Sequence, residues 1–244
     1  MLEEWGILLA VMALLGATLL LASVHHRYQL HQAEVQGQVR RLEHGLLRIK
    51  GALDQLGMVP LSRELRVLLR ADVLARYQRI ARLFRRYPEI RTRVAEAESV
   101  LQSEGPTNAA GVGPIADQQT FTRFTAALDT LHEVVRHGDL LQPLPPDVRT
   151  IFERELGERK AEVLARFHLV EAHRWQGLGE FSQGRSHLTM LMQTLSRQGP
   201  STPFVKALYA EAEQAMFELN RKVFQPDDEP NPEVADAEDG RATA

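Results

Sequence analysis

Twenty consecutive positions from Trp5 to Val24 (WGILLAVMALLGATLLLASV) carry no charge, and after them the chain changes to alternating apolar and polar stretches. At ~1.5 Å rise per residue, such a run matches the ~30 Å hydrocarbon core of a bilayer and predicts a transmembrane helix over 5–24, preceded by a short N-terminus, 1–4. A cleavable signal peptide would open on basic residues, carry an apolar segment of only ~7–15 residues and close on a small-x-small site. Here Met1-Leu2-Glu3-Glu4 is acidic, and Leu21-Ala22-Ser23-Val24-His25-His26 is a poor cleavage match, so an uncleaved anchor is expected.

Beyond the run, over 25–59, Val35, Val39, Leu42, Leu46, Ile49, Leu53 and Leu56 recur at alternating spacings of four and three. That is a heptad seam, predicting a helix that continues from the anchor and either self-associates as a coiled coil or docks on the chain's own domain. Gly37, Gly45 and Gly51 interrupt it, each costing ~1 kcal/mol of helix propensity.

Pro60 ends this helix and Ser62 is placed to cap the next, whose inward stripe is Leu65, Leu68, Leu69, Val73, Tyr77, Ile80, Phe84 and Tyr87. Pro88 breaks it. A helix from Glu89 to about Gln102 follows, then a Gly- and Pro-containing stretch over 103–116 that reads as a mobile linker. Asp117 opens a helix with Phe121, Phe124, Leu128, Leu131 and Val135 on one face. Four more are expected near Asp147–Leu156, Glu158–Gly177, Glu180–Arg197 and Thr202–Phe224. The predicted class is all-α, with a helical domain over 60–224 large enough to bury its own core. From 225 to 244 the tail holds seven acidic residues and one Arg and has too little apolar content to fold.

Composition refines rather than changes this picture. The chain has 25 Arg and 4 Lys, a bias expected of a GC-rich bacterial genome, and a net charge of −3, which gives no general affinity for nucleic acid. It has no cysteine, which excludes disulfides, thiolate metal sites and cysteine nucleophiles. Arg27, Arg40, Arg41, Arg48 and Lys50 follow the apolar run while no Lys or Arg precedes it. By the positive-inside rule this places the N-terminus outside and the main domain in the cytoplasm, at a bacterial inner membrane.

Charge is concentrated in one place. From Arg63 to Arg93 there are ten arginines against Glu64, Asp72 and Glu89, a local excess of seven. Arg76, Arg79, Arg82 and Arg86 are expected on one helix face opposite the apolar stripe. There they could bind an acidic protein or the acidic tail, an anionic lipid surface or nucleic-acid phosphates, or stand as a solvated face.

Motifs for chemistry fail on spacing. His132 and His137 are five apart, which turns them ~140° from each other on a helix, whereas a zinc protease needs them four apart on one face. His168, His173 and His187 lack a supporting carboxylate pair. Gly111-Val112-Gly113 and Gly177-Leu178-Gly179 lack the lysine, the third glycine and the strand of a phosphate loop. No enzyme activity, metal or cofactor is expected.

Between Ala165 and Leu191, small Ala172 and aromatic Trp175 precede Leu178-Gly179-Glu180-Phe181, and small Gly184 precedes Leu188 and Leu191. This stretch resembles a single tetratricopeptide (TPR) unit, in which small residues let two helices approach and aromatics fill the gap. It departs from that pattern in having Gly184 where alanine is usual and no proline until Pro200. An ordinary helical hairpin with the same small-residue contact is the alternative. The resemblance implies a surface for a peptide or partner protein, with Ala172, Trp175 and Phe181 as its residues.

Together these readings predict a membrane-anchored helical scaffold. Its lipid contact would be residues 5–24, its partner a protein or a second copy of the chain. A membrane-associated nucleic-acid-binding protein using the Arg63–Arg93 helix is the opposing expectation.

Overall fold

The computed structural model describes residues 2–84, 87, 89–105 and 111–224, in which every regular element is an α-helix. Within 2–31 the side chains described are those of Met12, Thr18, Leu20, Ser23 and 25–30. Seven helices follow in order: α1 (Leu2–Gln55), α2 (Arg63–Leu83), α3 (Ile90–Gln102), α4 (Gln118–His137), α5 (Pro146–Gly177), α6 (Phe181–Gln198) and α7 (Pro203–Phe224). The acidic tail, 225–244, lies outside the described residues, as do most side chains of the apolar run read as an anchor. Among the described residues, no helix is long and apolar enough to cross a membrane.

The chain divides into two compact units, and the residues read as one domain over 60–224 are distributed between them. The first comprises Met1–Asp54, Ser62–Thr107 and Glu133–Pro145; the second comprises Gln55–Leu61, Asn108–His132 and Pro146–Ala244.

In the first unit, the C-terminal half of α1 packs with α2, α3 and the end of α4. Along the heptad seam, burial follows one of the two readings, docking on the chain's own helices. Val39, Leu46, Ile49 and Leu56 are buried within the chain itself, and Val35, Leu42 and Leu53 are half-buried. These side chains are already covered by the chain's own helices, so the stripe is an intramolecular packing face. Ser62 caps α2 as its position predicts, its Oγ accepting from the Leu65 N–H at 3.2 Å. The inward stripe ends at Ile80, not Tyr87: Phe84 is exposed and follows the last residue of α2. Glu89 adopts a left-handed φ of 57° before α3 begins at Ile90.

The second unit is built on α5, α6 and α7, with a core of Ala161, Ala165, Leu169, Ala172, Leu188, Leu191, Leu195, Val205, Leu208, Ala212 and Leu219. The two helices expected at 147–156 and 158–177 are one helix of 32 residues. Gly157 does not interrupt it, because a Cβ there would stand 3.3 Å from the Pro200 ring, so the missing side chain admits the α6–α7 turn. The linker expectation is corrected at both ends. Val112 and Ile115 are buried, and the Val112 N–H donates to the buried Glu162 carboxylate at 2.8 Å. Upstream, Glu104 is held by Arg66 at 2.6 Å and by Arg70. Burial, helped by the neighbouring Arg66, lowers the pKa of Arg70. Residues 106–110 lie outside the described residues.

Candidate functional site

The arginine-rich helix does not present the face its sequence suggests. Arg76 turns inward, with its side chain 7% exposed, and its Nε donates to Asp72 Oδ2 at 2.6 Å. Its Nη2 donates to the Asp139 carbonyl, and Asp72 Oδ1 accepts the Leu141 N–H at 2.6 Å. One buried carboxylate and one buried guanidinium therefore clip α2 to the 138–145 loop. The fork of the guanidinium serves two directions at once, which an ammonium could not. Gly45 of α1 makes room: an added Cβ would collide with the Arg76 guanidinium.

Arg79 and Arg82 are exposed, as expected, and Arg86 lies outside the described residues. Arg66 and Arg70 are engaged by Glu104, so the local positive excess is partly neutralised within the unit. Sequence reasoning missed the burial of Asp72 and Arg76, although its signal was present. Leu65, Leu69, Asp72, Arg76 and Ile80 follow one another at helical spacing, so both charges fall on the apolar stripe.

The hairpin residues behave differently from one another. Ala172 is buried and serves the α5–α6 contact only. A Cβ on Gly184 would stand 3.1 Å from the Ala172 carbonyl oxygen and 2.9 Å from Leu219 Cδ1. That is the close small-residue approach that the spacing predicts, and it also explains glycine at 184: α7 supplies a leucine on the other side. Phe181 is half-buried against the core. Trp175 is half-buried with Arg174 lying 5.9 Å over its ring, and its Nε1–H is buried with no acceptor. Leu178, in the turn between α5 and α6, is 64% exposed.

Next to the hairpin, His168 is buried on α5 with its Nδ1 3.1 Å from Nδ1 of His187 on α6. Phe167, beside it, stacks on Phe121 at 4.2 Å between centroids. One ring must carry a hydrogen at Nδ1 and the other a lone pair. Burial, reinforced by His187, pushes the His168 pKa down to about 4, with Glu171 opposing the shift. His173 bonds the Leu169 carbonyl instead, at 2.7 Å. Among the described residues, no group of three or more His, Cys, Asp or Glu is placed to hold a metal ion.

Comparison with protein-family models, with curated proteins and with solved structures returns no match.

Proposed function

We propose that the protein is a membrane-anchored helical adaptor: residues 5–24 hold it in a bilayer and its helical units engage a protein partner. The single observation that carries this reading is the geometry of α1. It is one unbroken helix of 54 residues, yet among its described side chains the first buried one is Val39. Within the apolar run itself the described large apolar side chains are exposed, Met12 by 63% and Leu20 by 69%. An uncharged helical run of this length, with apolar side chains such as these exposed, is suited to lipid. The arginines after the run favour a cytoplasmic main body at a bacterial inner membrane. No catalytic role is proposed.

The nucleic-acid alternative is weakened by the engagement of Arg66, Arg70 and Arg76 within the unit, which leaves fewer cations for phosphates. For the partner, the exposed turn at Leu178 offers an apolar contact beside half-buried Trp175 and Phe181.

Fractionation of cells expressing the full chain tests the anchor. The protein is expected to stay with carbonate-washed membranes, and Leu14→Arg with Leu15→Arg should release it. Recovery of the unsubstituted chain in the soluble fraction would overturn the reading. A periplasm-only reporter fused after Ala244 should be inactive, and its activity would reverse the orientation.

A further inference from the structure

The first unit contains a groove that none of the foregoing uses. It has a volume of about 440 Å³ and lies between α1, Arg76 of α2 and the end of α4 with Asp139. On α1 it is lined by Arg40, Arg41, His44 and Arg48, whose spacings of three, four, seven and eight place all four on one helix face. Beneath its floor lie the fully buried Ile49 and Val134, and the Arg76 guanidinium reaches it because Gly45 has no side chain.

The charges in this groove are unevenly satisfied. Arg76 is committed to Asp72 and the Asp139 carbonyl. Arg48 is shared between Glu133 at 3.1 Å and Asp139 at a long 3.5 Å, and it remains 31% exposed. Arg40, Arg41 and His44 are exposed and, among the described residues, have no hydrogen-bond or ion-pair partner. The only acid among the lining residues is Asp139. Three donor-bearing side chains thus converge, unsaturated, on one concavity, while Arg76 beside them and Arg66 and Arg70 elsewhere in this unit find carboxylates.

We propose that this groove binds a small phosphorylated molecule, with the phosphate held by Arg40, Arg41 and His44 and the organic body filling the rest of the concavity. Guanidinium forks match phosphate oxygens bidentately, and a phosphate dianion rewards converging cations more than a single carboxylate does. The volume falls within the range of small-molecule sites, roughly 300–1,000 Å³, and exceeds what a bare anion needs. A lipid headgroup offers the same chemistry, but Arg40 lies about 24 Å along the helix beyond Val24. The headgroup layer is only roughly 5–8 Å deep on each side, so a headgroup of the anchoring bilayer falls short. The groove itself does not rest on the anchoring reading, because its geometry belongs to the first unit alone.

Titration of the full chain, purified in detergent at fixed ionic strength, with inorganic pyrophosphate as the probe tests the proposal. Saturable binding is expected, weakened at least about tenfold in Arg40→Gln/Arg41→Gln and changed less than about twofold in Arg79→Gln/Arg82→Gln. All three proteins should share one thermal midpoint, since every substituted side chain is exposed. Failure to saturate below about 1 mM, or equal affinity in both double variants, would overturn it. A parallel capture on vesicles with and without phosphatidylinositol phosphate separates the sources. Capture that depends on Arg40 and Arg41 without pyrophosphate binding would replace the soluble ligand by a headgroup. Pyrophosphate binding with vesicle capture indifferent to those arginines supports the soluble ligand.

Discussion

Asp72 illustrates how much one side chain can hold. It neutralises the buried Arg76 and accepts the Leu141 N–H, so its removal orphans a charge and a backbone donor together. Asp72→Ala should therefore destabilise the first unit by about 3–5 kcal/mol in denaturant titration. Asp72→Ala combined with Arg76→Met should recover much of that loss, because the uncompensated charge is then gone. Equal stability of the single and double variants would mean that the pair is not coupled. His168 makes the second residue-scale case. It stays neutral in the folded protein down to about pH 4, whereas the unfolded chain protonates it near its ordinary 6.5. Between those values the unfolded state binds more protons, so stability falls as pH drops from 6.5 towards 4 and levels off below. With part of the shift discounted for residual solvent screening, the loss is on the order of 2–3 kcal/mol. His168→Gln should flatten that slope in pH-dependent thermal unfolding, and an unchanged slope would assign the acid sensitivity elsewhere.

At the scale of elements, the α5–α6 contact turns on glycine at 184. A leucine there has nowhere to go between the Ala172 carbonyl and Leu219, so Gly184→Leu should cost about 2–3 kcal/mol by overpacking. Gly184→Ala should be milder, since the gain in helix propensity of ~1 kcal/mol offsets a contact that needs only small adjustment. A Gly184→Leu protein as stable as the parent would show that the two helices are not held at this distance. Helices were the most legible part of the sequence. The stripe Phe124, Leu128, Leu131 and Val135 is buried as its spacing predicts, and Ser62 and Asp117 cap where expected. What the sequence hid was tertiary. Gly157 reads locally as a break, but helix hydrogen bonds run through it and its bareness serves Pro200. Val112 and Ile115 sit among glycines and prolines that read as a linker, yet both are buried and a carboxylate fifty residues later pins Val112. The groove escaped notice for the same reason: Arg40, Arg41 and Arg48 look like ordinary polar positions of a heptad until Arg76 and Asp139 are placed beside them.

For the molecule as a whole, the two units are assembled from interleaved pieces of chain, which no reading of local periodicity reveals. The division at residue 60, suggested by Pro60, lies beside a unit edge at Leu61–Ser62, but α1 has already ended at Gln55 and Ser62–Thr107 returns to the first unit. This interleaving has a consequence for synthesis. Asp72 waits for Leu141, which lies 69 positions later, and Arg48 waits for Glu133. At a translation rate of ~5–20 residues per second, the nascent clip stays open for about 3–14 s after Asp72 is made. Throughout that interval the leading helices leave the ribosome with their greasy seam uncovered, a window in which a chaperone or premature pairing between neighbouring nascent chains would compete with closure.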